Sequence, residues 1–527
     1  MTESREDRPP DIVGIVRDPL DEVKAIRSLL ADVYRDAGDG RTLFRELVQN
    51  ADDAEARRLT LTVLEDGWRD AQNSLLRGPA LLVANDGPFP RKDRDALHKA
   101  IGGSKEGDVD KIGTFGIGLK SVFHICEAFV YIGAAQSGWW PGVLNPWYGT
   151  GEDGNTDPLF PDWDEVGEED RERLRAAAEH LLGETDYGLL LWIPLRRNEH
   201  DRAAHGRPYW LGDHRPSPQE LCSWFDCSAP AALLLAQCGH LQAIDARRAA
   251  NPEALGDGVT LMSVARRAET WLGRHNEETP PFLERPFGGE IESETSKWSV
   301  VGIESLNPER LHDLQSHPGW PQVSIGRDGR YETVPRKALA HAAVTVLRPV
   351  ERDANPSGMR LRWAVFLPLD DHPEPSSSAI VESDGPAPAW EIVLHGYFWP
   401  SQDRRSIPGV TDQGDGYPGD GDMRDRWNRR LCEELLLPLL PRALAEAVDG
   451  VDERTAQELL ERVVNSDILR NRMQHLTRRH WLLPVVDQNR VYWRAIDAED
   501  ADAGQVLSIP NWDQAPEGVR AGFLASC

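Results

Sequence analysis

The sequence predicts a multidomain α+β protein, and three observations carry that reading. Amphipathic helical runs alternate with short apolar strand runs over the first two hundred residues; mixed strands and helices follow; helices dominate from about residue 421 onward. A chain of 527 residues exceeds what one hydrophobic core accommodates, so the expected division is 1–204, 205–420 and 421–527. The second unit is expected to be α/β and the third mainly helical.

Each element has a local reason. After a charged lead-in over residues 1–12, "EVKAIRSLLADVY" has helical spacing. The turn-like "DAGDG" precedes a second helix in "RTLFRELVQNADDAEARR". "RLTLTVLEDG" and "PALLVANDG" alternate or run apolar and stop at turn residues, which marks strands. A helix in "DRDALHKAIGG" leads through a polar loop to "KIGTFGIGLKSVFH", where three glycines precede a helical run, and then to the strand "AFVYIGAA". Residues 136–165, rich in Gly, Pro, Trp and acids, predict an ordered but irregular part of an insertion extending over 136–183. "GEEDRERLRAAAEHLL" predicts a solvated amphipathic helix and "YGLLLWIPLR" a strand. Residues 200–217 read as a linker, "ALLLAQCGHLQAI" as a helix, "WEIVLHGYFWP" as the end of the mixed region, and "DANPSGM" and "DDHPEPSSSAIVESDGPAPAW" as exposed loops. "MRDRWNRRLCEELLLPLLPRALAEAV" begins the helical region, and "VRAGFLASC" carries no terminal signal, which is compatible with a longer natural chain.

The net charge of −28 weighs against wrapping nucleic acid, because phosphates would meet a repulsive field. No apolar run approaches the length of a membrane span, and the charged "MTESREDRPP" lacks the apolar stretch of a signal peptide, so a cytoplasmic location is expected. Six cysteines do not make a disulfide framework in a chain this long. Cys222, Cys227, Cys238 and His240 lie close in sequence but contain no CxxC pair, and read as small packing residues rather than a zinc set.

The candidate site begins on the helix at 41–55, where a turn of about 100° per residue puts Glu46, Asn50 and Asp53 on one stripe. The bland alternative is a solvated polar face. Against it, Asn50 is a poor helix former whose amide can ligate Mg2+, and Glu46 one turn away can orient a water. At the end of "LLVANDGPF", Asn85, Asp86 and Gly87 suit either an ordinary turn or the reading of a base edge beside a glycine that admits the ring. The glycine loop fits neither familiar nucleotide motif. Lys120 comes one residue too late for GxxxxGK[ST], and Ser121 stands where GxGxxG needs its third glycine. Gly113, Gly116 and Gly118 nevertheless offer backbone N–H groups ahead of a helix, a setting that attracts phosphate.

In order, ExxxNxxDA on a helix, NDG after a strand and GxFGxGxKS before a helix resemble the GHKL ATPase superfamily of gyrase B, the ninety-kilodalton heat-shock chaperones, MutL and sensor histidine kinases. "ELVQNADDA", "NDGPF", "IGGSK" and "IGTFGIGLKSVFHI" look most like sacsin-type ATPase domains. The close resemblance covers roughly residues 40–132; a looser one reaches "HGYFWPSQDRRSI" and "RWNRRLCEELLLPLL".

The resemblance implies a Bergerat-type α/β sandwich, a mixed sheet covered by helices on one face, that binds ATP and Mg2+. It implies Glu46 as the base that orients the attacking water, Asn50 as the Mg2+ ligand, and Asp53 as a polar neighbour of the nucleotide. Gly87 would lie beside adenine. Gly113, Thr114, Phe115, Gly116, Ile117 and Gly118 would form the phosphate loop, with Lys120 at its edge and Phe115 and Ile117 packing. Ser104 and Lys105 would belong to a mobile lid. Arg404 and Arg405 are candidates for a cation reaching the terminal phosphate from the second domain, with an ion pair to Asp403 as the plainer alternative. His395 and Tyr397 read as packing residues on their strand.

Two departures stand out. The superfamily's adenine-reading carboxylate precedes its glycine by two residues, where this chain has Asn85, with Asp86 one step later. A glycine-threonine pair is usual on a late strand, but Gly188 is followed by Leu189. Glu46, where sensor kinases usually have asparagine, favours hydrolysis. The expected activity is a Mg2+-dependent ATPase whose lid and domain movements serve a chaperone-like or conformational-switch role, with protein partners or a homodimer. The alternatives are a non-hydrolysing scaffold, or a nucleic-acid-remodelling ATPase dependent on Arg478 and Arg479 in the basic "LRNRMQHLTRRHW", whose plainer reading is a solvated helix face.

Overall fold

The computed structural model of the chain describes residues 26–27, 30, 40–89, 118–135, 138–147, 163–183, 187–197, 211, 214–273, 275, 278–327, 330–335, 338–350, 359–365, 367–368, 390–401, 406–411, 422–448, 451, 459, 480–487 and 490–497. Ile26, Arg27 and Leu30 are helical, and Ile26 and Leu30 are buried. Gly40 then starts α1 (Arg41–Asp53) in the left-handed region, at φ 72°. A Cβ there would lie 2.1 Å from the Trp224 ring, so both backbone angle and packing require glycine.

Helix α1 buries Leu43, Phe44, Leu47, Val48 and Ala51, with Phe44 edge-on to Phe225. It stops earlier than its sequence pattern predicts. Glu55 adopts φ 59°, and the Asp86 carboxylate accepts the Arg57 and Arg58 N–H groups at 2.7 and 2.9 Å, which turns the chain into β1 (Arg58–Leu64). Antiparallel to β1 lies β2 (Ala80–Asn85), buried along its whole length. The helix expected in "LKSVFHI" is a 3-10 segment, Gly118–His124. After β3 (Phe129–Ala135), the stretch expected to be irregular contains a strand, β4 (Gly138–Leu144), antiparallel to β3. It is an edge strand, and Pro141 within it blunts further pairing.

Helix α2 (Glu168–Leu182) is less solvated than its charge suggested. Leu174, Ala177, Ala178 and Leu182 are buried, and buried Asp170 accepts the Asn73 N–H at 2.7 Å. It packs on β5 (Gly188–Pro194). Residues 200–210 and 212–213 of the expected linker lie outside the description, but Leu211 is buried and its N–H is bound by Glu127. Ser217 caps α3 (Pro218–Phe225) through the Glu220 N–H. The next helix, α4 (Ser228–Gln237), ends before Cys238, and the rest of that expected helix leads into β6 (Ala243–Ala249).

A meander of β7 (Val259–Thr270), β8 (Phe282–Ser293) and β9 (Lys297–Leu306) follows, then the single turn α5 (His312–Gln315). A separate hairpin pairs β10 (Gln322–Arg327) with β11 (Arg330–Pro335). The large sheet resumes with β12 (His341–Pro349), β13 (Met359–Val365), β14 (Leu367–Pro368) and β15 (Trp390–Gly396). Met359 and Trp390, at the ends of the two expected loops, are buried strand residues. Helix α6 (Met423–Arg430), a π-helical stretch (Leu431–Leu436) and α7 (Leu437–Ala447) are continuous. The same C-terminal region also contains a hairpin of β16 (His480–Asp487) and β17 (Arg490–Asp497), in which His480 and Trp481 of the basic segment are strand residues.

The whole is mixed α+β. One thirteen-stranded sheet runs β14-β13-β15-β12-β9-β8-β7-β6-β1-β2-β5-β3-β4, joined at its middle by the parallel pair β1 and β6. Among the described residues no helix is long and apolar enough to cross a membrane.

Candidate functional site

The polar stripe of α1 is not a solvated face. Glu46 is 2% exposed, Arg45 and Gln49 are also buried, and Asn50 is half-buried. Burial of a carboxylate carries a desolvation penalty of several kcal/mol unless it is paired, and Arg45 lies 3.7 Å from Glu46. The Asn50 carboxamide differs. Its buried Nδ2 makes no hydrogen bond. A carboxamide can rotate to exchange oxygen and nitrogen, so Asn50 can present an oxygen to a cation without breaking a bond elsewhere.

Against α1 packs the 3-10 segment that ends the glycine loop. Lys120 and Ser121 are both buried there, at 4% and 1% exposure, and the Ser121 hydroxyl has no partner. Two unpartnered polar groups on adjoining elements are a cost that ordinary packing avoids. The glycine-loop motif includes both residues but assigns a role only to Lys120, although Ser121 follows it directly. Half-buried Asp53 ends α1.

The strand-end turn is closed by its own side chains. The Asn85 Oδ1 accepts the Gly87 N–H at 3.0 Å, a turn bond within the NDG sequence. The Asp86 Oδ1 accepts the Arg57 and Arg58 amides, and the residue lines a cavity of about 230 Å³ with Leu181 and Leu182. Glu46, Asn50 and Lys120 do not line that cavity. Gly87 meets α1 directly: an added Cβ would lie 2.5 Å from the Ala54 carbonyl oxygen. Gly188 likewise closes on the Asn85 carbonyl, 3.1 Å from where a Cβ would be. The two glycines thus bring the strand ends and α1 together.

Two further groups hold the site in place, and the motif reading assigned neither. Asp52, fully buried, accepts the N–H groups of Gly239, His240 and Leu241 at 3.0, 2.7 and 2.9 Å and ties the end of α1 to the turn before β6. Arg196, just after β5, donates to the carbonyls of Phe123, His124 and Cys126 and to Glu127 Oε1, so a buried guanidinium caps the 3-10 segment. Glu127 also accepts from the Trp147 indole and the Leu211 N–H. Burial, followed by the nearby Arg196 charge and His214, holds the His124 imidazole down at about 4.

Ser104, Lys105, Gly113, Thr114, Phe115, Gly116 and Ile117 lie outside the described residues, as do Arg404, Arg405 and residues 469–479. Gly118 opens the 3-10 segment.

Residues 21–137 match the family model of the sacsin domain. A stretch of 102 residues is 35% identical to human sacsin, and the match covers 17% of this chain and 2% of that protein. The sacsin-domain region contains Glu46, Asn50, the NDG turn and the whole glycine loop, while Arg196 and the Asp52-bound turn lie beyond it. The sacsin-like portion therefore depends on distant parts of the chain for its geometry.

Cys222, Cys227 and Cys238 are free thiols, and the buried Cys238 donates to the Leu234 carbonyl. The one group of described residues with metal-ligand chemistry is elsewhere, at His275, Glu304 and His341. Their wide separation in sequence hid them from a search for local spacing.

Proposed function

We propose that this sacsin-like protein binds ATP with Mg2+ in a GHKL-type, Bergerat-like site on α1 and hydrolyses it, using the nucleotide state to drive a conformational or chaperone-like switch. The observation that carries the reading is the buried polar face of α1, with Glu46 enclosed and the Asn50 amide unpartnered beside the glycine-loop helix. Asn50 would hold the Mg2+, which when bound neutralises and orients the phosphates. Glu46 takes the proton of the attacking water, a contribution of typically 10²- to 10⁴-fold. Backbone amides at Gly113, Gly116 and Gly118 bind phosphate without a Walker lysine, and Arg404 or Arg405 supplies a further cation.

The test is nucleotide binding followed by turnover. Millimolar ATP with Mg2+ raises the thermal midpoint of the wild-type chain; Glu46→Ala keeps that rise and loses hydrolysis; Asn50→Ala loses the Mg2+-dependent rise. Absence of any ATP-dependent shift in the wild type sinks the proposal. The engagement of Asn85 Oδ1 and Asp86 Oδ1 by backbone amides favours a second reading, a nucleotide-binding scaffold with an altered base pocket and no catalytic turnover. Binding with no Glu46-dependent phosphate release is its signature.

A further inference from the structure

We propose that His275, Glu304 and His341 form a binding site for a borderline divalent cation, Zn2+ being the best match, separate from the nucleotide site. The three are 3%, 0% and 0% exposed, and their ligand atoms lie within 4.8 Å of one another. Two imidazoles and one carboxylate are a donor set that zinc takes, with a fourth position left for water.

The fold explains the convergence. Glu304 sits on β9 opposite Arg285 of β8, His341 begins β12 beside β9, and His275 comes from the connection between β7 and β8. Glu304 divides its oxygens between two tasks. Its Oε1 accepts from Arg285 Nε at 2.7 Å, while its Oε2 lies 2.7 Å from His275 Nε2 and 3.0 Å from His341 Nε2. One carboxylate oxygen is thus aimed at both imidazoles, and the other is held from behind, as ligating carboxylates usually are. Around a tetrahedral zinc with bonds of roughly 2.0 Å, neighbouring donor atoms stand about 3.3 Å apart. The two Glu304 contacts would lengthen by a few tenths of an ångström, while the two imidazole nitrogens, within 4.8 Å of each other, would draw in toward that spacing.

Proton accounting points the same way. His275 Nε2 faces Glu304 Oε2 and, at 3.2 Å, Arg285 Nη2. With a proton it donates to the carboxylate and meets an N–H of Arg285; without one it accepts from Arg285 and faces a carboxylate oxygen with nothing between them. A cation satisfies the Nε2 lone pair and the Oε2 charge together. His341 Nδ1 has no hydrogen-bond partner, so no acceptor or donor behind the ring fixes its tautomer, and Nε2 can turn its lone pair to a metal. Arg285 is about half exposed, which leaves its charge largely in water and Glu304 as the enclosed anion of the group.

Enclosure suits an ion that stays bound rather than one that exchanges with each turnover. It would pin β9, β12 and the connection before β8 at one point, where His341 also packs against His395 and Tyr397. Mg2+ is a poor competitor, because it demands near-octahedral oxygen coordination.

The experiment uses the full chain, stripped with a chelator and dialysed against Zn2+, with metal content measured by mass spectrometry and Co2+ as a spectroscopic substitute. The expected result is about one zinc per chain, a raised thermal midpoint that millimolar Mg2+ does not reproduce, and the visible absorption of four-coordinate Co2+ with nitrogen and oxygen ligands. His275→Gln and Glu304→Gln each reduce zinc well below one per chain, while His317→Ala, on the exposed surface, does not. A wild-type chain that takes up no zinc, or that keeps it stoichiometrically when His275 and Glu304 are both replaced, overturns the proposal. Neither result bears on ATP binding, so the two proposals fail separately.

Discussion

His124 shows how burial at one residue becomes a property of the protein. Its imidazole is held at about 4, against an ordinary value of 6.5, first by burial and then by the Arg196 charge. Above pH 6.5 it is neutral in both folded and unfolded chains and contributes no pH dependence. As the pH falls from about 6.5 toward 4, the unfolded chain takes up a proton that the folded chain refuses, and stability declines by at most about 3 kcal/mol. We expect His124→Gln to flatten this part of the thermal-midpoint profile between pH 7 and 4.5; an unchanged slope in the variant would assign it elsewhere. Gly87 carries a second residue-scale expectation. A methyl group there meets the Ala54 carbonyl, a backbone atom that cannot swing away, so Gly87→Ala destabilises the chain by about 1–3 kcal/mol in urea unfolding.

At the scale of elements, the site is held by groups to which its own motif assigns no role. Removing Asp52 leaves three backbone N–H groups at residues 239–241 without their carboxylate, and Asp52→Ala should cost at least about 3 kcal/mol in denaturant unfolding. Arg196→Met strands Glu127 as a buried charge and uncaps the 3-10 segment, an expected loss of about 3–5 kcal/mol, with the Glu127→Gln, Arg196→Met double variant recovering part of it. These contacts explain what could be read in advance and what could not. Strands β1, β2, β3 and β5 were legible because alternating or apolar runs ended in turn residues. The stripe of Glu46, Asn50 and Asp53 was legible because helical spacing and residue chemistry agreed. The early end of α1 was not, since it depends on Asp86, met only after a whole strand and turn. Nor was β4, whose glycines and Pro141 imitate a loop while β3 supplies the pairing. Asp52 stood next to the residue singled out, but only the fold places the amides of 239–241 around it.

Across the whole molecule, the long sheet carries different cores on its two faces, and β15 shows the division residue by residue. Val393 joins the core shared with α4 and the N-terminal strands, whereas Ile392 and Leu394 join the core under α6, the π-helical stretch and α7. Strand alternation requires this, because successive side chains point to opposite faces. A cavity at Leu394 should therefore loosen a different region from a cavity at Val393, although the two are neighbours in sequence. Leu394→Ala should cost about 2–5 kcal/mol and speed amide exchange in β12, β15 and the helices at 423–447. Val393→Ala, removing less volume, should cost less and act on β12, β15 and α4, with the 423–447 helices little changed. If hydrogen exchange gave the same map for both variants, the two cores would be one cooperative unit. Distinct maps would mean that the face under α7 can soften while α1 and its buried glutamate stay ordered, which is the independence that a nucleotide-driven movement of one face against the other needs.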